Sequence, residues 1–144
     1  MRKIFVAGIG TDVGKTIIAA VLTEALKADY WKPVQTGSFF ATDSVKVKGL
    51  ISNEISQFHP EAYNLPQYMS PHAAAELEGV KIYLNDIKLP DCKNDNLVIE
   101  GAGGLMVPLN DNEFMIDMIN KFDAEVVLVC QNYLGSINHS LLSI

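Results

Sequence analysis

The sequence predicts an α/β fold in which a parallel sheet carries helices on both faces. Short, continuous apolar segments, typical of strands buried on both sides, alternate along the chain with segments of helical periodicity. A glycine-rich turn joins the first of these strands to the first helix. With 144 residues, of which 49% are hydrophobic, the chain is long enough for one domain with a buried core.

Two strands and two helices are predicted in the first part of the chain. The segment KIFVAG is expected to be a buried strand, and YWKPV at residues 30–34 a second strand that ends at Pro33. Between them, apolar residues at helical spacing predict the first helix: Ile17, Ile18, Val21, Leu22, Ala25 and Leu26. Thr42 is the expected cap of a helix that runs from Asp43 into the fifties. Its inner side is assigned to Val47, Leu50, Ile51 and Ile55.

The second part of the chain continues the alternation. HPEAYNLPQYMSP is predicted to be a loop because prolines interrupt it, and Ser70 and Pro71 open a short helix that Gly79 closes. NLVIEG and EVVLVC are predicted to be buried strands, with an amphipathic helix EFMIDMINKF between them. A last helix begins in INHSLLSI, where a parallel sheet would normally lead on to another strand. We therefore expect a single domain over residues 1–144 whose C-terminal part is missing from the chain.

Composition and charge argue against several classes of protein. A net charge of −6 with only 11 lysines and arginines disfavours nucleic-acid binding. Cys92 and Cys130 show no C-x-x-C or Cys/His spacing, which favours a reducing compartment over a disulfide framework or a zinc site. The sequence lacks a targeting signal and a run of about 20 apolar residues. We expect a cytoplasmic protein with no membrane partner.

The turn GIGTDVGKT at residues 8–16 has the features of a phosphate-binding loop. In such loops backbone N–H groups surround phosphates, a lysine reaches the β- and γ-oxygens, and a hydroxyl binds magnesium. Here the Gly14-Lys15-Thr16 segment opens a helix directly after a strand. Five residues separate Gly8 from Gly14, one more than in the usual motif. The strand–loop–helix context favours phosphate binding over a chance glycine-rich turn.

Three charged residues stand where the ends of parallel strands and a helix start could meet a ligand. Lys32 follows the second strand, at the edge where parallel sheets bind ligands, although a solvated loop lysine is the commoner case. Glu100 ends an apolar strand and is equally compatible with a metal ligand and a surface acid. Asp43 opens its helix and could equally interact with the helix dipole.

Five motifs appear in the order found in one known family: GIGTDVGKT, WKPVQTG, SPHAAAE, IEGAGGLMVPL and NYLGSINHSLL. From Phe5 to Leu142 the chain resembles the dethiobiotin synthetases, whose phosphate loop has the same extra residue. One departure is Gly10, because the family commonly carries aspartate at this position.

The resemblance implies an ATP- and Mg²⁺-dependent cyclo-ligase of biotin biosynthesis. It would convert 7,8-diaminononanoate and CO₂ or bicarbonate into dethiobiotin through a carbamic-phosphoric anhydride, as a homodimer. The implied catalytic residues are Lys15 and Lys32. The implied nucleotide contacts are Asp12, Val13, Gly14, Lys15, Thr16, Ile17, Asp43, Glu100, Gly101, Ala102 and Gly103. The implied magnesium ligands are Thr16, Asp43 and Glu100.

The resemblance also implies the substrate contacts. They are Thr36, Gly135, Ser136, Ile137 and Asn138. In the family the helix start at the last four positions receives the substrate carboxylate, often from the neighbouring subunit. From the residues alone, Ser136 is equally an ordinary helix cap. His72 lies in a motif near the substrate region, and a helix-start histidine bonded to backbone is the alternative.

A second function class shares the phosphate loop. Partitioning and metallochaperone ATPases use related folds as nucleotide-dependent switches. The partitioning type carries an additional lysine early in the loop, whereas residues 10–15 here read GTDVGK. This absence disfavours the partitioning switch.

Overall fold

The structure is a computed structural model that describes residues 1–37 and 41–144. Its strands are β1 (Arg2–Gly8), β2 (Asp29–Trp31), β3 (Val34–Thr36), β4 (Phe58–His59), β5 (Tyr63–Leu65), β6 (Asn96–Glu100) and β7 (Glu125–Val129). Its helices are α1 (Lys15–Leu26), α2 (Asp43–Leu50), α3 (Pro71–Leu77), α4 (Met115–Phe122) and α5 (Ser136–Leu141), with a short 3₁₀ helix at Leu84–Asp86. None of the helices in the described ranges has the length and apolar character needed to cross a membrane.

The main sheet confirms the predicted parallel architecture. Five strands pair in the order β4-β2-β6-β1-β7, and every pairing among them is parallel. Phe5 and Val6, neighbours in β1, point into different core clusters. The Phe5 cluster contains residues of α3 and α4, and the Val6 cluster contains residues of α1 and α2. Helices therefore cover both faces, and the carboxyl ends of β1, β2 and β6 meet at one edge.

The prediction of one strand over residues 30–34 is wrong. β2 pairs with β4 and β6, whereas β3 pairs with β5 in a separate two-stranded sheet. Pro33 lies at the break and has no N–H to continue a ladder. Its carbonyl instead accepts hydrogen bonds from the N–H groups of Ala62 and Tyr63. The segment predicted as a proline-rich loop accordingly contains β5 and the end of β4.

The predicted inner face of the second helix needs correction, and the first helix buries only part of its apolar pattern. In α1, Ile17 and Val21 are more than half exposed, while Ala19 and Ala20 are buried. Ile18, Leu22 and Leu26 are half-buried and pack against the same core cluster, so small and larger side chains of α1 both contact the core. The second helix, α2, ends at Leu50. Of its assigned inner residues only Val47 is fully buried.

The last strand is less buried than its apolar sequence predicts. β7 lies at the edge of the main sheet, and Glu125 and Val126 are exposed. Apolar β-branched residues favour a strand in either setting, so the sequence pattern does not distinguish an edge from a centre.

Candidate functional site

The phosphate-binding loop forms a compact turn between β1 and α1. Gly14, the residue before α1, has φ +101°, a left-handed conformation that strongly favours glycine. A Cβ atom at Gly8 would lie only 2.7 Å from Val13 Cγ2. The loop thus brings its backbone close around the start of α1, where the first N–H groups have no intrahelical partner. Such a helix start is a favourable site for an anion.

Lys15 is the first residue of α1 and is almost fully buried. Its Nζ donates a hydrogen bond to the Gly10 carbonyl at 2.7 Å, so the side chain folds back over the loop. Burial lowers the pKa of Lys15, and the nearby positive charge of Lys32 lowers it further. The space around Gly10 is open, since a Cβ atom there would meet only Val13 Cγ1, at 4.0 Å. Steric crowding therefore does not explain why Gly10 replaces the aspartate common in the family.

Glu100 is the centre of a buried hydrogen-bonded group at the end of β6. Only 1% of Glu100 is exposed. Its Oε1 accepts hydrogen bonds from Thr16 Oγ1 at 2.9 Å and from Lys32 Nζ at 3.1 Å. Its Oε2 accepts one from the Tyr30 hydroxyl at 2.8 Å. The side chains of β2, β6 and α1 therefore meet at one carboxylate, and Lys32 is a buried cation, not a solvated loop lysine.

Lys32 also forms an ion pair with Asp43, which begins α2. Burial by itself would lower the pKa of Lys32, but Glu100 and Asp43 together raise it. Burial likewise opposes the ionisation of Asp43, and Lys32 outweighs it, so that the pKa of Asp43 is lowered. Both groups are therefore charged at neutral pH. Lys46 contacts the other carboxylate oxygen of Asp43 at 3.0 Å from a more exposed position.

Two residues that the sequence analysis did not single out hold this group in place. Tyr30 donates to Glu100, as described above. Gln35 is buried in β3, where its Oε1 accepts from the Asp43 N–H at 3.0 Å and its Nε2 donates to the Thr36 carbonyl at 2.8 Å. A tyrosine in a buried strand is a detectable signal, because its hydroxyl needs a partner. Gln35 carries no such signal, because the sequence predicts a loop after Pro33 that extends to Gly37, where the structure has β3.

An open cleft of about 540 Å³ is lined by the side chains of this group other than Tyr30. Of the residues assigned from the sequence, it is lined by Asp12, Gly14, Lys15, Thr16, Lys32, Thr36, Asp43, Glu100, Ala102 and Gly103. The cleft lining does not include Val13, Ile17, Gly101, Gly135, Ser136, Ile137 or Asn138. His72 is also absent from it, and the His72 N–H donates to the Pro108 carbonyl. The structure thus brings together the predicted phosphate and metal residues but not the predicted carboxylate site at α5.

The oxygen atoms in the cleft suit a hard divalent cation. Thr16 offers a hydroxyl, and Asp43 and Glu100 each offer a carboxylate. Mg²⁺ prefers oxygen ligands and is commonly held by one or two carboxylates together with substrate phosphates. The donor set therefore fits the magnesium site that the resemblance implies.

Comparisons with known proteins agree with this arrangement. A family model described as an AAA domain matches residues 2–144. The chain is 56% identical over 143 residues to the ATP-dependent dethiobiotin synthetase BioD of Cytophaga hutchinsonii, which covers 99% of this chain and 69% of that relative. It is 57% identical over 143 residues to the BioD of Christiangramia forsetii, covering 99% and 68%. For the BioD of Paramagnetospirillum magneticum the identity is 44% over 144 residues, covering 100% and 69%. These identities, together with the phosphate loop and the buried Lys32, show that the chain belongs to the dethiobiotin synthetase family.

Proposed function

We propose that this chain, as a single ATP-binding domain over residues 1–144, closes the ureido ring of dethiobiotin from 7,8-diaminononanoate and CO₂ at the expense of ATP. The burial of Lys32 beside the phosphate loop is the observation that most supports this function. Its ammonium group is buried between Glu100 and Asp43 and lines the same cleft as the phosphate loop. A fixed cation at this point suits a reaction in which negative charge moves between a carboxylated amine and a phosphoryl group.

The proposed reaction has three steps. One amine of the diamine adds to CO₂, forming a C–N bond and releasing a proton to give a carbamate. A carbamate oxygen then attacks the γ-phosphorus of ATP; the new O–P bond forms as the bond to the β-phosphate oxygen breaks, and ADP leaves. Finally the second amine attacks the carbonyl carbon. The C–O bond to phosphate breaks, phosphate and a proton depart, and the ring closes.

The residues of the cleft act mainly by position and charge. Phosphoryl transfer requires little covalent chemistry from a protein, so alignment and charge neutralisation supply most of the rate. The N–H groups at the start of α1 would hold the phosphates, with Lys15 on the β- and γ-oxygens. Lys32 would stabilise the carbamate and the transferring phosphoryl group. Thr36, at the end of β3, would contact the carbamate.

Magnesium is part of the proposal. Thr16, Asp43 and Glu100 would hold the ion, which when bound neutralises charge on the phosphate oxygens. Tyr30 and Lys32 both hydrogen-bond to Glu100, and Gln35 accepts from the backbone N–H of Asp43. The first two contacts orient the Glu100 carboxylate before any ion binds, as outer-shell partners do in metal sites generally. The Gln35 contact fixes the backbone at the start of α2.

A homodimer is proposed to complete the substrate site. The α5 start, at Gly135–Asn138, does not line the cleft of its own chain. Ile137 and Leu141 of this helix are 77% and 69% exposed. Contact with a second copy would bury these side chains and bring the helix start to the partner's cleft. Sedimentation velocity should report a dimer that Ile137→Glu converts to monomer, and a monomeric wild type at catalytic concentrations would contradict this part.

The experiment that tests the proposed function is a phosphate-release assay with each component withheld in turn. Release from ATP should require diaminononanoate, bicarbonate and Mg²⁺ together. Hydrolysis that proceeds equally without the diamine would instead indicate a nucleotide switch of the partitioning or metallochaperone type. Release that persists in EDTA would contradict the magnesium site without contradicting ring closure.

A further inference from the structure

We propose that Asp29, His59 and Cys92 form a Zn²⁺-binding site, separate from the phosphate cleft, that fastens the edge of the main sheet. The three residues come from distant parts of the chain, at the start of β2, the end of β4 and the segment before β6. One ligand atom of each lies within 4.8 Å of the others. None of the three lines the phosphate cleft. Lys32 follows the carboxyl end of β2, whereas Asp29 begins that strand.

The two distances from the His59 nitrogen to the other ligand atoms match those of tetrahedral zinc. The Nε2 atom of His59 lies 3.4 Å from Asp29 Oδ2 and 3.6 Å from Cys92 Sγ. With normal Zn–N, Zn–O and Zn–S bonds, tetrahedral angles place nitrogen about 3.3 Å from oxygen and about 3.5 Å from sulfur. One thiolate, one imidazole and one carboxylate are a donor set that favours zinc over magnesium or calcium. Three protein ligands leave a fourth position for water.

Burial and charge also point to a cation here. Asp29 is fully buried, with no exposed surface. In the part of the chain that the structure describes, its one ion-pair partner is His59, and no lysine or arginine pairs with it. Hydrogen bonds offset part of the cost of burying a carboxylate, but among the described residues no permanently charged cation completes the compensation at Asp29. A zinc ion bound by Asp29, neutral His59 and a Cys92 thiolate would bring the local charge to zero.

Hydrogen bonds fix the Asp29 carboxylate, as is usual for carboxylates that bind metals. Its Oδ1 accepts hydrogen bonds from the Gln57 N–H at 2.9 Å and from Asn94 Nδ2 at 2.6 Å. Its Oδ2 accepts from the Lys93 N–H at 3.2 Å and faces His59. These contacts fix the carboxylate and leave Oδ2 directed at the other two ligands, which is the arrangement that outer-shell partners give a metal site.

Cys92 is half-buried, and its Sγ lies 3.6 Å from His59 Nε2 and 3.5 Å from the Pro90 carbonyl, to which the thiol donates. When zinc binds, the thiol proton is released and a Zn–S bond forms in its place.

The test uses Co²⁺ as a spectroscopic substitute for Zn²⁺ on the full chain. A thiolate ligand gives a sulfur-to-cobalt charge-transfer band, and no cysteine lies in the phosphate cleft, so ions bound at Thr16, Asp43 and Glu100 give no such band. We expect one equivalent of Co²⁺ to produce the band and Zn²⁺ to displace it. Cys92→Ser and His59→Ala should lose it. The matched controls Cys130→Ser and His72→Ala, which alter the same residue types elsewhere, should keep it.

A second measurement needs no variant. Alkylation followed by mass spectrometry should show that added Zn²⁺ protects Cys92 but not the exposed Cys130. Absence of the cobalt band in the wild type, its persistence in Cys92→Ser, or equal alkylation of Cys92 with and without Zn²⁺ would each overturn the proposal. None of these results bears on ring closure, which the phosphate-release assay tests separately.

Discussion

At the scale of single residues, Lys32 is the buried cation that pairs with two carboxylates in the cleft. Its side chain is 5% exposed and contacts two carboxylates. Removing one partner of a buried ion pair leaves an uncompensated charge and costs about 3–5 kcal/mol. The same ammonium is the group proposed to stabilise the carbamate. Its loss should therefore affect stability and catalysis together.

The first prediction concerns Lys32→Ala. We expect turnover to be abolished, while isothermal titration calorimetry still detects nucleotide binding through the phosphate loop and Lys15. Urea denaturation should show a loss of about 3–5 kcal/mol, because Glu100 and Asp43 lose their shared partner. Lys81→Ala is the control, since Lys81 pairs with Asp111 at the surface. Equal turnover in Lys32→Ala and the wild type would remove Lys32 from the mechanism.

The second prediction concerns Tyr30→Phe. Burial raises the pKa of Tyr30, and the charge of Glu100 adds to this, so the hydroxyl stays protonated and acts as a donor. Its hydrogen bond to the ionised carboxylate should contribute about 1.5–3 kcal/mol. We expect a loss of stability in that range together with a weaker dependence on Mg²⁺ in the turnover assay. Tyr83→Phe, at a half-exposed position, is the control. A merely structural hydroxyl would change stability and leave the Mg²⁺ dependence as it is.

Residue types at fixed spacing made much of the cleft predictable. Lys15 and Thr16 follow from the motif itself, and Glu100 from its position at a strand end. Tyr30 was read only as an apolar strand residue. The approach of Cys92 to His59 was not predictable, because the two residues lie 33 positions apart. They meet only because β4 and β6, the strand that follows Cys92, both pair with β2.

At the scale of elements, the start of α1 depends on the backbone conformation of one glycine. Gly14→Ala places a side chain at φ +101°, which costs about 1–3 kcal/mol and distorts the turn that surrounds the phosphates. We expect lower stability and loss of nucleotide binding, measured by urea denaturation and calorimetry.

Gly49→Ala is the matched control for this third prediction. Gly49 lies within α2, and no atom stands within 4 Å of a Cβ built there. Alanine should stabilise that helix by about 0.5–1 kcal/mol and leave nucleotide binding unchanged. Nucleotide binding by Gly14→Ala at wild-type affinity would contradict the role assigned to the loop.

The elements that the sequence predicted well are those fixed by local pattern. β1 and β6 are continuous apolar runs, and α3 is marked by proline at its start and glycine after its end. The break between β2 and β3 was missed because it is set by which distant strand each half pairs with. The apolar pattern of α1 does not distinguish its buried residues, because Ile17 and Val21 fit the pattern and are exposed, whereas Ala19 and Ala20 are buried.

At the scale of the whole molecule, the charged group in the cleft links folding to pH. Burial opposes the ionisation of Asp43, but Lys32 holds its pKa below the ordinary value of 3.8. The stability contributed by this carboxylate is therefore present above about pH 4 and is lost as the pH falls through the folded-state pKa. For Lys32, whose pKa is raised above 10.5, the contribution is present below about pH 10.5 and is lost as the pH rises through the folded-state pKa.

The fourth prediction follows from the lowered pKa of Asp43. Asp43→Asn should be less stable than the wild type at pH 7, and the difference should shrink as the pH falls from about 4 through the folded-state pKa, where the wild-type carboxylate also becomes neutral. Urea denaturation across a pH series measures this. Asp111→Asn, at an exposed ion pair, should differ much less from the wild type at pH 7. A difference between Asp43→Asn and the wild type that grows on acidification would contradict the assignment.

The proposed function requires this chain to join CO₂ to a diamine and close a ring. The most direct measurement supplies ¹³C-bicarbonate, ATP, Mg²⁺ and 7,8-diaminononanoate to the purified protein and analyses the products by mass spectrometry. We predict dethiobiotin labelled at the ureido carbon, with one ADP formed for each ring closed, and no labelled product from Lys32→Ala. Formation of ADP by the wild type without any labelled dethiobiotin would contradict the proposed function.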